Sequence, residues 1–357
     1  MKSILKSKRI SKAIALFLIA ILAAAMLAAC GSQAAAPEGT GQAAGTSAQP
    51  QVSQSSVSQE AASSGTEAAA EKYPLTIKDS AGTPVTIAAK PAKIVSLPLG
   101  ISEMLLSLID KSAIAAMSYY VDDPVVSNVA ELAKGVGQRL DSNAEKIIAL
   151  QPDLVIVDSW AQAEFIKQLR DANLTVFVVN LPSNVEEQKE TLKLLGNITD
   201  SASKADEVIN WMDRKLKEVS DKLAGLKEED RLTIIDYSEM GTTSGKGTNF
   251  DDIVTRAGLI NPVSGEGLEG WPELSKELIV KYNPDIINLP SWYYDSSKAS
   301  FDSLSKVIRE DKALAGVKAI KNGRILSVPY NHLSSPSQYS VLGIEDMAKA
   351  AYPQLFK

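Results

Sequence analysis

Aromatic side chains are sparse in this chain, yet they gather where apolar, strand-like runs end: Tyr119 and Tyr120, Trp160, Tyr237, Trp292 with Tyr293 and Tyr294, and Tyr330. Loops at the carboxyl ends of strands are where open α/β sheets take their ligands. A pocket walled in this way suits a large, flat or partly apolar ligand, and Arg139 is available to pair with a carboxylate or a chelate's negative charge. Machinery for catalysis is thin by comparison. The chain has one histidine, His332, and one cysteine, Cys30, and no Gly-x-Ser-x-Gly elbow. A serine triad would have to recruit His332, and nothing around it supplies a nucleophile. Capture of bare zinc or manganese wants several imidazole or thiolate ligands, which are missing, so no direct metal site is expected. His332 does follow the last strand, where cleft loops emerge, and is therefore a candidate ligand contact. The run Gly241-Thr-Thr-Ser-Gly245-Lys246-Gly-Thr248 has three residues between its first two glycines where a phosphate-binding loop needs four. It is expected to be a flexible loop of the cleft. These features point to binding and not to an enzyme.

The elements that would position such a site alternate between strand and helix, the pattern of α/β architecture. Strands are expected at Lys93–Leu97, Ile114–Ser118, Leu154–Asp158, Val176–Val179, Leu232–Tyr237, Ile286–Leu289 and Ile325–Val328. Between the fourth and fifth, Glu186 to Leu226 is rich in helix formers, and Ile209, Met212, Leu216, Val219 and Leu223 have helical spacing. One long helix over Ala202–Leu226, roughly 35 Å at 1.5 Å per residue, is predicted to cross between two halves. Those halves echo each other. Ser142-Asn-Ala-Glu145-Lys-Ile-Ile-Ala-Leu-Gln-Pro-Asp153 aligns with Leu274-Ser-Lys-Glu277-Leu-Ile-Val-Lys-Tyr-Asn-Pro-Asp285, with Glu, Pro and Asp in register. The expected fold is two Rossmann-like α/β lobes joined by one long backbone helix, with the ligand cleft between them.

The N-terminal region bears on location. Lys2, Lys6, Lys8, Arg9 and Lys12 precede an unbroken apolar run from Ala13 to Ala29, as in a secretory signal peptide. Seventeen apolar residues are also near the short limit for a membrane-spanning helix. The cysteine placed directly after small residues and before a polar stretch argues for cleavage instead. Leu27-Ala28-Ala29-Cys30 resembles a bacterial lipobox, which implies a lipid on Cys30 and a durable membrane anchor. Gly31 to Glu71 has only Val52 and Val57 as larger aliphatics and no aromatic or basic residue, so it cannot bury enough apolar surface to order itself. As a coil it would span about 35 Å. Loss of the five basic residues of the leader takes the net charge from −6 to −11. A chain this acidic is a poor partner for nucleic acid or anionic lipid, which leaves the membrane work to the acylated cysteine. The domain plan is 1–29 signal peptide, 30–72 lipidated cysteine and disordered tether, 73–185 N-terminal lobe, 186–226 bridging helical segment and 227–357 C-terminal lobe.

Several segments together resemble the iron-chelate and cobalamin group of ABC-transporter substrate-binding proteins, over about Tyr73 to Phe356. They are Lys93-Ile-Val-Ser-Leu with Ser102-Glu103, Gly135-Val-Gly137, Asn143 to Val155, Ser244-Gly-Lys-Gly247, Gly270-Trp-Pro-Glu-Leu-Ser-Lys-Glu277, Tyr282-Asn-Pro-Asp285 and Lys321-Asn-Gly-Arg324. The resemblance implies two lobes on a rigid helix and, at Glu145 and Glu277, one glutamate per lobe that docks on arginines of a permease dimer. It implies a lipid-anchored, monomeric capture protein on the extracytoplasmic face of the cell membrane, without a resident cofactor. An iron chelate such as a ferric siderophore is the expected cargo, with cobalamin or haem as the alternative and an extracytoplasmic adhesion module or enzyme using the same cleft as the less favoured reading; Tyr119, Tyr120 and Trp160 suit all three cargoes, and His332 would be an axial ligand for cobalamin or haem.

Overall fold

Runs of β-branched and aliphatic residues form two parallel sheets, one on each side of a long helix. The computed structural model describes residues 72–293 and 299–357. The expected signal peptide, Cys30 and nearly all of the tether lie outside these residues, as does Tyr294. Strand β1 (Leu75–Lys78) pairs antiparallel with β2 (Pro84–Ile87). Next come β3 (Ile94–Ser96), β4 (Ile114–Ser118), β5 (Gln138–Leu140), β6 (Leu154–Asp158) and β7 (Val176–Val179), which form a parallel sheet in the order β5-β4-β3-β6-β7. After the long helix, β8 (Ile234–Asp236), β9 (Ile286–Asn288) and β10 (Ile325–Leu326) make a second parallel sheet in the order β10-β9-β8. All seven expected strands are present, three with the expected bounds. The hairpin and β5 were not anticipated.

Side chains alternate across each strand, and this alternation divides the core. Ile94, Leu154 and Ile156 of the first sheet share one hydrophobic cluster with Ile234 and Ile286 of the second. Their strand neighbours Val95, Val155 and Val157 face a separate cluster, and Ile235 and Ile287 a third. The bridging helix, Ala202–Leu223, ends three residues earlier than expected, just before Gly225, and is about 33 Å long. It buries Ala205, Ile209, Met212 and Val219 in the shared cluster, and the helix Ser340–Ala351 adds Ile344, Met347 and Ala348. The two sheets therefore share one continuous core with this helix pair.

Polar bonds reinforce the junction. Glu103, fully buried on the helix Leu99–Leu108, accepts from Asn128 N at 2.7 Å, from Asn128 Nδ2 at 3.1 Å, from Ser335 Oγ at 2.9 Å and from Ser337 Oγ. Asn128 Nδ2 also donates to Asn331 O at 2.8 Å. On the bridging side, Gln188 Nε2 donates to Asn249 Oδ1 at 2.9 Å and Ser340 Oγ at 3.0 Å.

The repeated segments fold alike. Asn143 caps the helix Ala144–Leu150 through Lys146 N, and Ser275 caps Lys276–Tyr282 through Leu278 N. Each helix ends on a left-handed residue, Gln151 (φ 50°) or Asn283 (φ 45°), before Pro-Asp. The aspartate then accepts backbone N–H groups at the start of the adjacent strand: Asp153 from Ala92 and Lys93, Asp285 from Thr233. Glu145 and Glu277 thus occupy equivalent, exposed positions in the first turn of matching helices.

Candidate functional site

Two neighbouring strands of the second sheet end on polar residues after an Ile-Ile pair: Asp236 on β8 and Asn288 on β9, paired in register. Asp236 anchors the loop that follows. Its Oδ1 accepts Ser244 N at 2.6 Å and Thr243 Oγ1 at 2.9 Å, and its Oδ2 accepts Ser244 Oγ at 2.6 Å. Desolvation pushes this carboxyl up, against the pull of those hydrogen bonds. The loop is also laced to the strand-like stretch beyond it, through Thr243 N to Pro272 O, Gly245 N to Gly270 O and Lys246 N to Leu268 O. A Cβ on Gly245 would stand 2.2 Å from Leu268 O, so this close backbone approach needs glycine. The segment expected to be a flexible loop is held by Asp236 on one side and by the 268–272 stretch on the other.

A cavity of about 1000 Å³ opens above Asp236 and Asn288. Its described lining comes from residues after the bridging helix, with Tyr237, Phe250, Trp271, Trp292 and Tyr330 as aromatic walls. Trp292 stacks on Tyr330 with ring centroids 6.1 Å apart and planes 14° apart. The first lobe reaches this wall with two edge-to-face contacts, Tyr120 on Trp292 at 6.4 Å and Trp160 on Trp271 at 6.3 Å. Trp292 Nε1 also donates to Asp123 Oδ2 at 3.1 Å. Trp160 is 75% exposed and Trp271 61% exposed. These two indole rings form an exposed apolar patch beside the cavity that no folding core covers.

Of the expected cleft residues, Tyr237 and Trp292 line the cavity, and Tyr120 and Trp160 meet its wall from across. Tyr119 is exposed beside Tyr120 and does not line it. Tyr293, next to Trp292, turns inward and is buried; burial and the charge of Glu239 push its hydroxyl up to about 12. Arg139 is spent within its own lobe. It forms a two-pronged ion pair with Asp122 at 2.8 Å and donates to the carbonyls of Val136 and Ala133 at 2.6 and 2.7 Å. That pairing holds the Asp122 carboxyl below its usual range. His332 sits in the short helix Asn331–Ser334, where Leu333 and Ser334 line the cavity, but its Nδ1 lies 2.6 Å from Asp346 Oδ2. The expected charge partner and axial ligand are therefore both bonded within the fold and absent from the cavity's described lining.

Sequence reasoning missed Asp236, Asn288 and Ser334. The Ile-Ile-Asp and Ile-Ile-Asn endings were a usable signal, because a polar residue closing a buried parallel strand stands at the ligand-facing edge of the sheet. Among the described residues, no group of three or more His, Cys, Asp or Glu is arranged to hold a metal ion, and no helix is long and apolar enough to cross a membrane.

The family model described as "Periplasmic binding protein" matches residues 94–331. An ABC transporter substrate-binding lipoprotein of Bacillus subtilis, YvrC, is 30% identical over 295 residues, covering 80% of this chain and 88% of that protein. A cobalamin-binding protein of Halobacterium salinarum is 23% identical and covers 78% of this chain and 74% of its own. Among solved structures, a possible iron-binding (periplasmic solute-binding) protein of Staphylococcus epidermidis superposes with a TM-score of 0.63 at 23% identity, over 74% of this chain and 99% of that one. Two parallel sheets joined through a single long helix, with an aromatic cavity at the strand ends of the second, agree with these matches, and the chain belongs to the periplasmic binding protein family.

Proposed function

We propose that this protein captures a metal already wrapped in an organic chelator, foremost a ferric siderophore, and hands it to the permease dimer of an ABC importer. The observation that carries this reading is the aromatic cavity of about 1000 Å³ between Trp271, Trp292, Tyr237 and Tyr330. It is large and ring-lined, and so suits an organic complex better than a bare ion. The same wall favours a corrinoid as the second reading, because flat macrocycles stack on indole and phenol faces. The protein acts by binding and release and not by catalysis, as a monomer.

The signal-like leader and Leu27-Ala28-Ala29-Cys30 support export and a lipid anchor on Cys30, with residues 31–71 as the tether. The equivalent, exposed placements of Glu145 and Glu277 support docking on a two-fold permease, one carboxylate to each half. The lobes on either side of the bridging segment then carry one docking point each. The test of capture is a tryptophan-fluorescence titration of the full chain in detergent with ferric siderophores of several chelating classes, cobalamin and haem. Saturable quenching by one class at micromolar concentration or below is the expected result. Silence across the whole panel rejects chelate capture.

A further inference from the structure

Among the described methionines, one stands apart from the rest. Met240 lines the cavity and is 82% exposed, whereas Met104, Met117, Met212 and Met347 are at most 1% exposed, all within the core shared by the two sheets. The two remaining methionines, Met1 and Met26, belong to the expected signal peptide. A tight turn holds Met240 where it stands. Gly241 N donates to Ser238 O at 3.0 Å, Met240 N to Ser238 Oγ at 3.2 Å and Ser238 N to Thr242 O at 3.0 Å. Gly241 takes φ 74°, and its carbonyl accepts Leu274 N at 2.9 Å. Bonded in this way, the turn neither folds the thioether back into the core nor carries it away from the cavity.

We infer that Met240 is a modification site, at which hydrogen peroxide oxidises the thioether to the sulfoxide and thereby lowers the cavity's affinity for its ligand. The sulfur donates an electron pair to one peroxide oxygen as the O–O bond breaks. That oxygen stays on sulfur, and the other takes up the transferred proton and leaves as water. Sulfur gives up two electrons and the peroxide gains them, so no further reactant is needed. The buried sulfurs are shielded, because the oxidant has to reach the sulfur to react. Oxidation replaces a soft, apolar group by a polar S=O acceptor in a lining that includes Trp271, Pro290 and Trp292. A ligand that fills the cavity covers this position, and would have to strip water from the new oxygen in order to bind. Methionine sulfoxide reductases return the sulfoxide to the thioether, so the change is reversible. The loss of affinity rests on chelate capture, whereas the selectivity of oxidation does not.

The test treats the full chain in detergent with hydrogen peroxide, removes the peroxide and maps each methionine by peptide mass. Ferric siderophores of several chelating classes, cobalamin and haem are titrated calorimetrically before and after treatment. Met240 is expected to gain one oxygen at least about tenfold faster than Met104, Met117, Met212 or Met347, and the chelate that binds the untreated chain to bind at least about tenfold more weakly afterwards. Methionine sulfoxide reductase should restore the original isotherm, which general oxidative damage would not allow. Met240→Leu should give one and the same isotherm before and after peroxide, whatever its starting affinity. Met240→Gln, which places a polar acceptor at the same position, should bind as weakly as the oxidised wild type. Oxidation spread evenly over these methionines overturns the inference, and so does unchanged affinity with Met240 fully oxidised; chelate capture stands in either case. Silence of every chelate on the untreated chain removes chelate capture and the affinity change with it, while the mass map still decides the site.

Discussion

Glu103→Ala should be among the most damaging single changes outside the cavity, because one carboxylate serves three stretches of chain. It receives Asn128 N and Nδ2 from the loop after β4, and Ser335 and Ser337 from the segment leading to the last helix, while sitting fully buried on Leu99–Leu108. The Asn128 backbone N–H cannot rotate to a new partner, and leaving it buried and unpaired costs about 1–3 kcal/mol. The serine hydroxyls can turn, so they forfeit only the net worth of their bonds, about 1 kcal/mol each. Together the loss comes to about 3–5 kcal/mol, readable by urea unfolding followed through tryptophan fluorescence with an unchanged slope. The pH dependence provides a second readout. Burial holds the Glu103 carboxyl above the usual glutamate range, with hydrogen bonds from Ser337 and Asn128 pulling the other way. The folded chain therefore keeps that proton to a higher pH than the unfolded chain does. Its contribution is complete below the ordinary glutamate pKa and is lost as pH climbs through the raised folded value. Stability should fall across that window in the wild type and fall less in Glu103→Gln. An Ala variant that loses less than about 1 kcal/mol would refute the reasoning.

Three further outcomes are expected. Gly245→Ala must push a methyl into Leu268 O, so it should cost about 1–3 kcal/mol and weaken ligand binding through the displaced loop, seen as paired losses in melting temperature and titration. Glu145→Ala combined with Glu277→Ala should leave ligand affinity unchanged while abolishing uptake by whole cells; a loss of affinity would defeat the docking assignment. Cys30→Ser should shift the protein from the membrane fraction to the soluble one, and retention at the membrane would defeat the lipid-anchor assignment.

The strands built from uninterrupted aliphatics, such as Leu154–Asp158 and Val176–Val179, were legible because strands buried on both faces in a parallel sheet read as continuous apolar runs. Gln138–Leu140 was not, since a three-residue edge strand with two polar side chains carries no periodic signal. The hairpin at Leu75–Ile87 was readable in principle from its alternation around Asp-Ser-Ala-Gly, with Asp79 accepting from Ala81 N and Thr83 N. Of the aromatic residues at strand ends, Tyr237 and Trp292 line the cavity. For Arg139 and His332, residue type shows what a side chain offers but not that Asp122 and Asp346, 17 and 14 positions away, bond to them.

The single hydrophobic core shared by both sheets has a consequence for how cargo is sensed. Swinging the lobes apart would bring Ile209, Met212, Ile234 and Ile344 into water at about 25 cal/mol for each Å² of apolar surface, so wide opening is expensive and the expected outline of the loaded form is close to that of the empty one. Little of the binding energy is then diverted into closure, which favours tight capture from dilute medium. On the proposed function, a transporter facing such a rigid carrier would recognise occupancy from the ligand's own exposed surface and would supply the work of release itself. A radius of gyration that stays constant as cargo is added is the solution-scattering signature of such a carrier.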